Sequence, residues 1–331
     1  MEGTNFQAID PKGKHVLVTG GAGFIGSNIV ERLLKSDVKV TVLDNLSTGK
    51  LENIAEFMDH PNFQFIEGDI RDYETCLKAL EGKDAVTHQA ALGSVPRSIE
   101  FPHNTHDVNA TGFLNMLHAA KEKGIKRFVY ASSSSVYGDS PKSPKVEGEE
   151  GNLLSPYAVT KQLNEKYAMV YSQLHGIETI GLRYFNIFGP KQDPNGVYAA
   201  AIPKFIARLQ KDEEVLIHGD GQQTRDFTYV KNAVNANYLS LFTENKAATG
   251  RVYNVACGDS FSLTDVVNAL KSGLEKIGVN SISPIVFGPE RPGDIKHSLA
   301  NITAIQWNLG YTPLYTFQEG VNEYIESLKF L

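Results

Sequence analysis

Short runs of interior-type residues alternate with stretches of helical period along the first half of the chain. His15-Val-Leu-Val-Thr19 is apolar and β-branched and reads as a buried strand. Phe24, Ile25, Ile29, Leu33 and Leu34 then recur at helical spacing and predict a helix over 24–34. Val38 to Leu43 is a second buried strand. Strand, helix and strand in such close succession make a βαβ unit, whose two strands must run parallel.

The rhythm persists. The pattern predicts strands over 62–66, 84–88, 126–131 and 177–183, with helices over 73–80 and 105–123. Ser155 and Pro156 suit the N-cap and first position of a further helix, reaching about His175. Six or more strands with intervening helices predict an α/β fold built on a doubly wound, Rossmann-type parallel sheet. After about Asn186 the elements shorten, and turn-forming pairs such as Gly189-Pro190 and the Gly219-Asp-Gly221 stretch intervene. A core over 1–186 and a smaller lobe over 187–331 are therefore expected, with part of 226–260 returning to the core.

Composition narrows the class. The chain has 331 residues, 41% hydrophobic and 21% charged, ordinary values for a globular enzyme. A net charge of −6 gives no footprint for nucleic acid, so anionic ligands would have to be held locally. The two cysteines, Cys76 and Cys257, lie far apart and read as reduced thiols, and the nine histidines form no metal-ligand spacing. No metal is expected. The polar stretch Met1 to Lys14 lacks a signal-peptide core, and no apolar run reaches the roughly 18 residues of a membrane span. A cytoplasmic protein without membrane association is expected.

Candidate chemistry lies where the strands end. Gly20-Gly-Ala-Gly23-Phe-Ile-Gly26 follows the first strand and opens the first helix. The first glycine permits the tight turn, the second admits a pyrophosphate close to the backbone, and the third lets helix pack on sheet. Phosphate charge would then face the helix N-terminus. Asp44 ends the second strand, where a carboxylate can accept from ribose hydroxyls and would repel the extra phosphate of NADP. The expected cofactor is NAD. Asp69 and Ile70 follow the third strand, where an adenine would lie, and Gln89, Ala90 and Ala91 follow the fourth, with small residues that allow close approach.

Tyr157 and Lys161 stand one helical turn apart on a shared face. The lysine cation, together with an oxidised nicotinamide, is expected to lower the phenol pKa so that it serves as a general base. Ser132 to Ser135, at the end of the fifth strand, offer hydroxyls to the reacting oxygen.

The 20–26 glycines, the serine cluster, the Tyr157/Lys161 pair, Arg183-Tyr-Phe-Asn186-Ile-Phe-Gly189 and Arg291-Pro-Gly-Asp294 together resemble extended short-chain dehydrogenases acting on nucleotide sugars. Stretches such as 88–98 and 192–196 are most similar to bacterial UDP-N-acetylglucosamine 4-epimerases. The resemblance implies that Ser133, Tyr157 and Lys161 are catalytic, Tyr157 as base and Lys161 on the nicotinamide ribose. It implies further cofactor contacts at Phe24, Ile25, Asn45, Ser47, Thr48 and Gly49, and at Asn109 and Tyr184. Asn186 would hold the UDP, and Arg225 and Arg291 its pyrophosphate. Gly93, Ser94, Ser134 and Ser135 would line the sugar pocket, with Asp294 and Ser298 beside them.

The resemblance also separates reactions. The related 4,6-dehydratases carry an Asp-Glu pair where this chain has Ser134 and Ser135, and the glutamate of the decarboxylases is likewise missing. Epimerisation at C4 of a UDP-sugar through a 4-keto intermediate remains. In galactose epimerases a bulky tyrosine crowds the 2-substituent at the position of Ser298, so an N-acetyl group is expected to fit here, favouring UDP-GlcNAc/UDP-GalNAc. One alternative is a uronic acid substrate such as UDP-GlcNAcA, with Arg97 as the extra cation. Another is a scaffold that binds NAD and a nucleotide without turnover. Family members generally dimerise through a four-helix bundle, here from 105–123 and 156–175, in which Phe113, Leu114, Leu117 and Met169 would serve core or interface. A homodimer is expected.

Overall fold

The computed structural model of the protein describes residues 10–194, 200–289 and 297–328. Strands β1 (His15–Thr19), β2 (Lys39–Asp44), β3 (Phe63–Glu67), β4 (Ala85–His88), β5 (Arg127–Ser133) and β6 (Glu178–Tyr184) alternate with helices. The helices of this half are α1 (Phe24–Leu34), α2 (Tyr73–Ala79), α3 (Val95–Glu100), α4 (Pro102–His106), α5 (Gly112–Glu122) and α6 (Pro156–His175). The first strand and helix keep the bounds read from the apolar pattern.

Beyond β6 come β7 (Ile187–Phe188), α7 (Ala201–Leu209), β8 (Val215–His218), β9 (Thr224–Arg225) and β10 (Thr228–Tyr229). Next are α8 (Val230–Phe242), β11 (Arg251–Val255), β12 (Phe261–Ser262), α9 (Leu263–Lys276) and β13 (Ile285–Gly288). The chain closes with β14 (His297–Ser298), α10 (Thr303–Leu309) and α11 (Phe317–Ser327).

Seven strands form the main sheet in the order β11-β6-β5-β4-β1-β2-β3. All neighbours in it are parallel. Along β1, Val16 and Val18 enter one apolar cluster while Leu17 enters the other. Both faces are thus covered, which explains why the strands read as continuous apolar runs. α8 packs on α1, and β11 adds the seventh strand beside β6. No helix among the described residues is long and apolar enough to cross a membrane.

The helix expected over 105–123 is not uniform. Residues Asp107–Thr111 form a π-helical segment between α4 and α5. Such a widened turn is frequent at functional sites, and here it carries Asn109. The chain runs outward from β1 to β3 and then jumps back to β4, so the strand order reverses between β1 and β4. At that reversal the connecting helices diverge to opposite faces and leave a crevice at the carboxyl edge.

Candidate active site

A cleft of about 820 Å³ opens at this edge. Its cofactor side begins at the glycine turn. Gly20 has φ +68, and a Cβ there would lie 2.7 Å from Ala90 N. A Cβ at Gly26 would lie 2.1 Å from the Gly20 carbonyl oxygen, so α1 can approach the turn only without a side chain. α1 starts at Gly23 with no side-chain cap and no acidic residue in its first turn. Its N–H dipoles therefore face the cleft without a competing anion, as a pyrophosphate requires.

Asp44 is buried and accepts from Ala22 N at 3.0 Å and Leu46 N at 2.9 Å, one bond to each carboxylate oxygen. Burial raises its pKa, and the two backbone N–H groups oppose the rise. Each oxygen keeps a lone pair, which suits two ribose hydroxyls. Asp69 is clamped by Arg71 Nε and Nη2 at 3.0 and 2.7 Å and by Asn45 Nδ2 at 2.8 Å. The Arg71 bonds hold its carboxyl at about 2. These features fit a dinucleotide with an unphosphorylated ribose.

The chemical side is set by α6. Ser155 Oγ accepts from Ala158 N at 3.2 Å and Pro156 fills the first turn, so the helix starts where Tyr157 and Lys161 both face the end of β5. Lys161 Nζ donates to Ala131 O at 2.9 Å and stands 5.9 Å from the Tyr157 ring centre. The Ser133 hydroxyl acts on the Tyr157 phenol from the end of β5. Ser135 Oγ is buried in the cleft lining without a hydrogen-bond partner. Behind the lysine, Glu165 holds Ser132 Oγ at 2.5 Å and the Arg183 guanidinium at 2.9 and 2.8 Å.

The expected lowering of the phenol pKa is not a property of these side chains. Burial raises it, the Ser133 hydrogen bond opposes that rise, and Lys161 does not enter. Burial instead moves Lys161 down to about 8, with the Glu165 carboxylate opposing. A buried phenol loses more solvation on ionising than a cation centred nearly 6 Å from its ring returns.

β9 and β14 contribute a further part of the lining, where Ser298 pairs with Arg225. Asp226 ties the neighbouring segments together. Its N–H donates to Ser298 O at 2.8 Å, and its carboxylate accepts from Cys257 N and Gly258 N at 3.0 Å and from Ala300 N at 3.3 Å. Burial pushes this carboxyl up to about 7. The folded chain thus keeps a proton that the unfolded chain releases near pH 4. The contribution of Asp226 to stability is full below that value and is lost as pH rises toward 7. Asp226→Asn is expected to lower the melting temperature yet flatten its dependence on pH between about 4 and 7. Parallel melting curves for both proteins across that window would refute the assignment.

The cleft gathers nearly all described residues singled out by sequence: Gly20, Gly23 to Gly26, Asp44, Asn45, Ser47, Thr48, Gly49, Asp69 and Ile70. Gln89 to Ala91, Gly93, Ser133 to Ser135, Tyr157, Lys161, Tyr184, Asn186, Arg225 and Ser298 complete the set. Asn186 adopts φ +40 and its Nδ2 donates to Asp226 O at 3.0 Å, a backbone that asparagine tolerates better than most residues. Arg291 and Asp294 lie outside the described residues.

Three expected positions are not in the lining. Asn109 does not line the cleft: it is buried, accepting from Leu92 N at 2.7 Å and donating to Leu92 O and Thr160 Oγ1. Ser94 caps α3 by accepting from Arg97 N at 3.2 Å and is likewise absent from the lining. Arg97, on α3, is also outside it. Sequence reasoning missed Leu92, Val95, Pro96, Tyr137, Lys145 and Gln192 as lining residues. Gln192 lay within a stretch already marked as distinctive, and its buried Oε1 has no partner. Nothing marked Lys145, which joins the cleft through a bridge to Ala300.

The NAD dependent epimerase/dehydratase family model matches residues 16–256. The chain belongs to this family. Its cofactor is NAD. The chain is 40% identical to a UDP-N-acetylglucosamine 4-epimerase from Methanobrevibacter ruminantium, whose structure holds UDP-N-acetylmuramic acid. That likeness has a TM-score of 0.89 and covers 97% of this chain and 100% of that one. A UDP-glucuronic acid 4-epimerase from Bacillus cereus, in complex with UDP-glucuronic acid and NAD, is 32% identical with a TM-score of 0.86, covering 96% and 99%. A putative UDP-glucose 4-epimerase from Methanocaldococcus jannaschii is 35% identical over 95% of this chain and 98% of its own length.

Proposed function

We propose that the protein interconverts the C4 epimers of a UDP-sugar, UDP-GlcNAc and UDP-GalNAc foremost. One observation carries this reading: Ser133, Tyr157 and Lys161 converge in a cleft whose only described carboxylates, Asp44 and Asp69, lie at the cofactor side. A dehydratase or decarboxylase needs an acid or base carboxylate at the sugar, and Ser134 and Ser135 stand where it would be. The core over 1–186 seats the cofactor, and the lobe over 187–331 supplies Arg225 and Ser298 to the nucleotide sugar.

NAD, held between the 20–26 turn, Asp44 and Lys161, would supply a reversible hydride acceptor for C4 and a positive charge that favours the phenolate. Tyr157 accepts the 4-hydroxyl proton as the hydride leaves and gives it back when the hydride returns. Ser133 holds the reacting oxygen through its hydroxyl. Lys161, fixed to Ala131 O, holds the nicotinamide ribose. Between the two half-reactions the 4-keto sugar turns over about the bonds to its diphosphate, so no net oxidation results. Purified protein incubated without added NAD should convert UDP-GlcNAc to its C4 epimer. Binding of NAD with no conversion of any UDP-hexose would sink the reading and favour a non-catalytic scaffold.

Ser298 is the residue we assign to substrate choice. It is buried in the lining beside Arg225, so a larger side chain has nowhere to retreat. Ser298→Tyr is expected to lower kcat/KM for UDP-GlcNAc by about tenfold to a hundredfold, the range that overpacking a close wall produces, while sparing UDP-glucose. Equal losses on both sugars would remove the gate.

A uronic acid remains the second reading. The cation named for it, Arg97, is off the cleft, but Lys145 is buried in the lining, where an ammonium could meet a sugar carboxylate. Preferential turnover of UDP-GlcNAcA would establish it. We also propose a homodimer through α6. Phe113 and Leu117 are wholly buried in the core, whereas Val159, Met169 and Leu174 expose 50%, 40% and 71% of their surface along α6. A monomer in sedimentation would overturn this.

A further inference from the structure

We infer that Asn237, on α8 and remote from the glycine loop, is a positioning residue that fixes which hydrogen-bonding group the cleft floor offers to the nicotinamide half of NAD. The inference rests on the proposed seating of NAD against Gln89 and Tyr184.

Asn237 is fully buried. Its Oδ1 accepts from Thr87 Oγ1 at 3.0 Å and Gln89 Nε2 at 3.1 Å. Its Nδ2 donates to Tyr184 Oη at 2.7 Å and to Ala233 O at 2.8 Å. Gln89 Nε2 also donates to Thr87 Oγ1 at 2.8 Å, and Tyr184 Oη donates to Gln89 Oε1 at 2.9 Å. The four side chains form a closed network, and two of them, Gln89 and Tyr184, line the cleft.

A single backbone atom dictates its polarity. Ala233 O can only accept, so the Asn237 amide must turn its Nδ2 toward it. Oδ1 then faces Thr87 and Gln89, which forces Gln89 to present Nε2 inward. Gln89 Oε1 is left facing Tyr184, whose hydroxyl already accepts from Asn237 and must therefore donate. Flipping either amide alone would oppose like groups in a buried site, an outcome that costs more than the bonds gain. Gln89 Nε2 is turned inward to Asn237 and Thr87, and the tyrosine hydroxyl has given its hydrogen. What these two side chains keep for a ligand are acceptor lone pairs, one on Gln89 Oε1 and one on Tyr184 Oη.

The floor is thus an acceptor. It recognises a hydrogen-bond donor on the nicotinamide half, either the carboxamide N–H₂ or a ribose hydroxyl. Asn237 sits on α8, beyond the start of the second lobe, so the segment that returns to the core also sets the polarity of the cofactor seat.

The test follows exchange of bound NAD for NADH by fluorescence in holoenzyme carrying Gln89→Ala, Tyr184→Phe or Asn237→Asp, with melting temperature measured alongside. Asn237→Asp keeps the acceptor and removes the donor to Tyr184. Tyr184→Phe removes the link without touching Asn237 and guards against a misfolded aspartate variant. Each is expected to speed NAD release about tenfold or more, the scale of one lost buried hydrogen bond. The double variant Tyr184→Phe/Asn237→Asp is expected to add little, because both changes break the same link. A purely structural asparagine would lower the melting temperature without changing exchange, and that result would overturn the inference. Loosening by Gln89→Ala alone, with Tyr184→Phe and Asn237→Asp unchanged, would overturn it while leaving the cofactor seat intact. No effect from any variant would remove the seat itself. The 3-acetylpyridine analogue of NAD, which lacks the amide N–H₂, separates the donors. If the carboxamide is read, Gln89→Ala costs nothing with the analogue; if a ribose hydroxyl is read, it costs the same.

Discussion

Tyr157→Phe is expected to reduce turnover by about 10²–10⁴-fold, the range supplied by a positioned general base, while NAD stays bound. The substitution removes one hydroxyl and leaves the ring and α6 in place. Burial holds that phenol above its ordinary pKa, so ionisation and rate in the parent should rise with pH through the neutral range. The variant should show a low rate with no such limb. The measurement is C4-epimer formation from UDP-GlcNAc across pH, with cofactor content read from absorbance. Undiminished turnover by the variant would place the base on another residue.

Gly26→Ala is expected to be nearly as damaging, for a reason of packing alone. The new Cβ would meet the Gly20 carbonyl oxygen at 2.1 Å and Gly21 Cα at 2.8 Å, both backbone. No rotamer change relieves such a contact, so either α1 withdraws from the turn or the turn opens. A loss of about 3 kcal/mol in stability is expected, at the upper end for overpacking, with bound NAD reduced or absent. Urea unfolding and the cofactor content of purified protein check this together. Retention of NAD at parental stability would mean that the third glycine is dispensable.

The two changes probe features of unequal legibility. The glycine turn could be read from residues 20–26 because its requirement is local: a positive φ at Gly20 and a helix start within a few residues. Tyr157 and Lys161 were legible for the same reason, since helical geometry alone sets them one turn apart. The amide of Asn109 is bonded to the Leu92 backbone, a tie that no local pattern reveals. Lys145 is tied to a segment more than 150 residues away, through its bridge to Ala300 and its N–H to Leu299 O, and no local pattern announces that.

Apolar periodicity and turn chemistry by themselves determined the parallel α/β sheet, the phosphate-binding turn, the carboxylate at the end of β2 and the Tyr157/Lys161 face, because each depends on neighbours within one element or one crossover. Tertiary structure decided the rest. It set the burial that raises the Tyr157 phenol and depresses Lys161, the clamp of Asp226 on the 257–258 and 298–300 segments, and the closure of Asn237 on Gln89 and Tyr184. Desolvation and hydrogen-bond closure arise only when residues distant in sequence exclude water from a common volume.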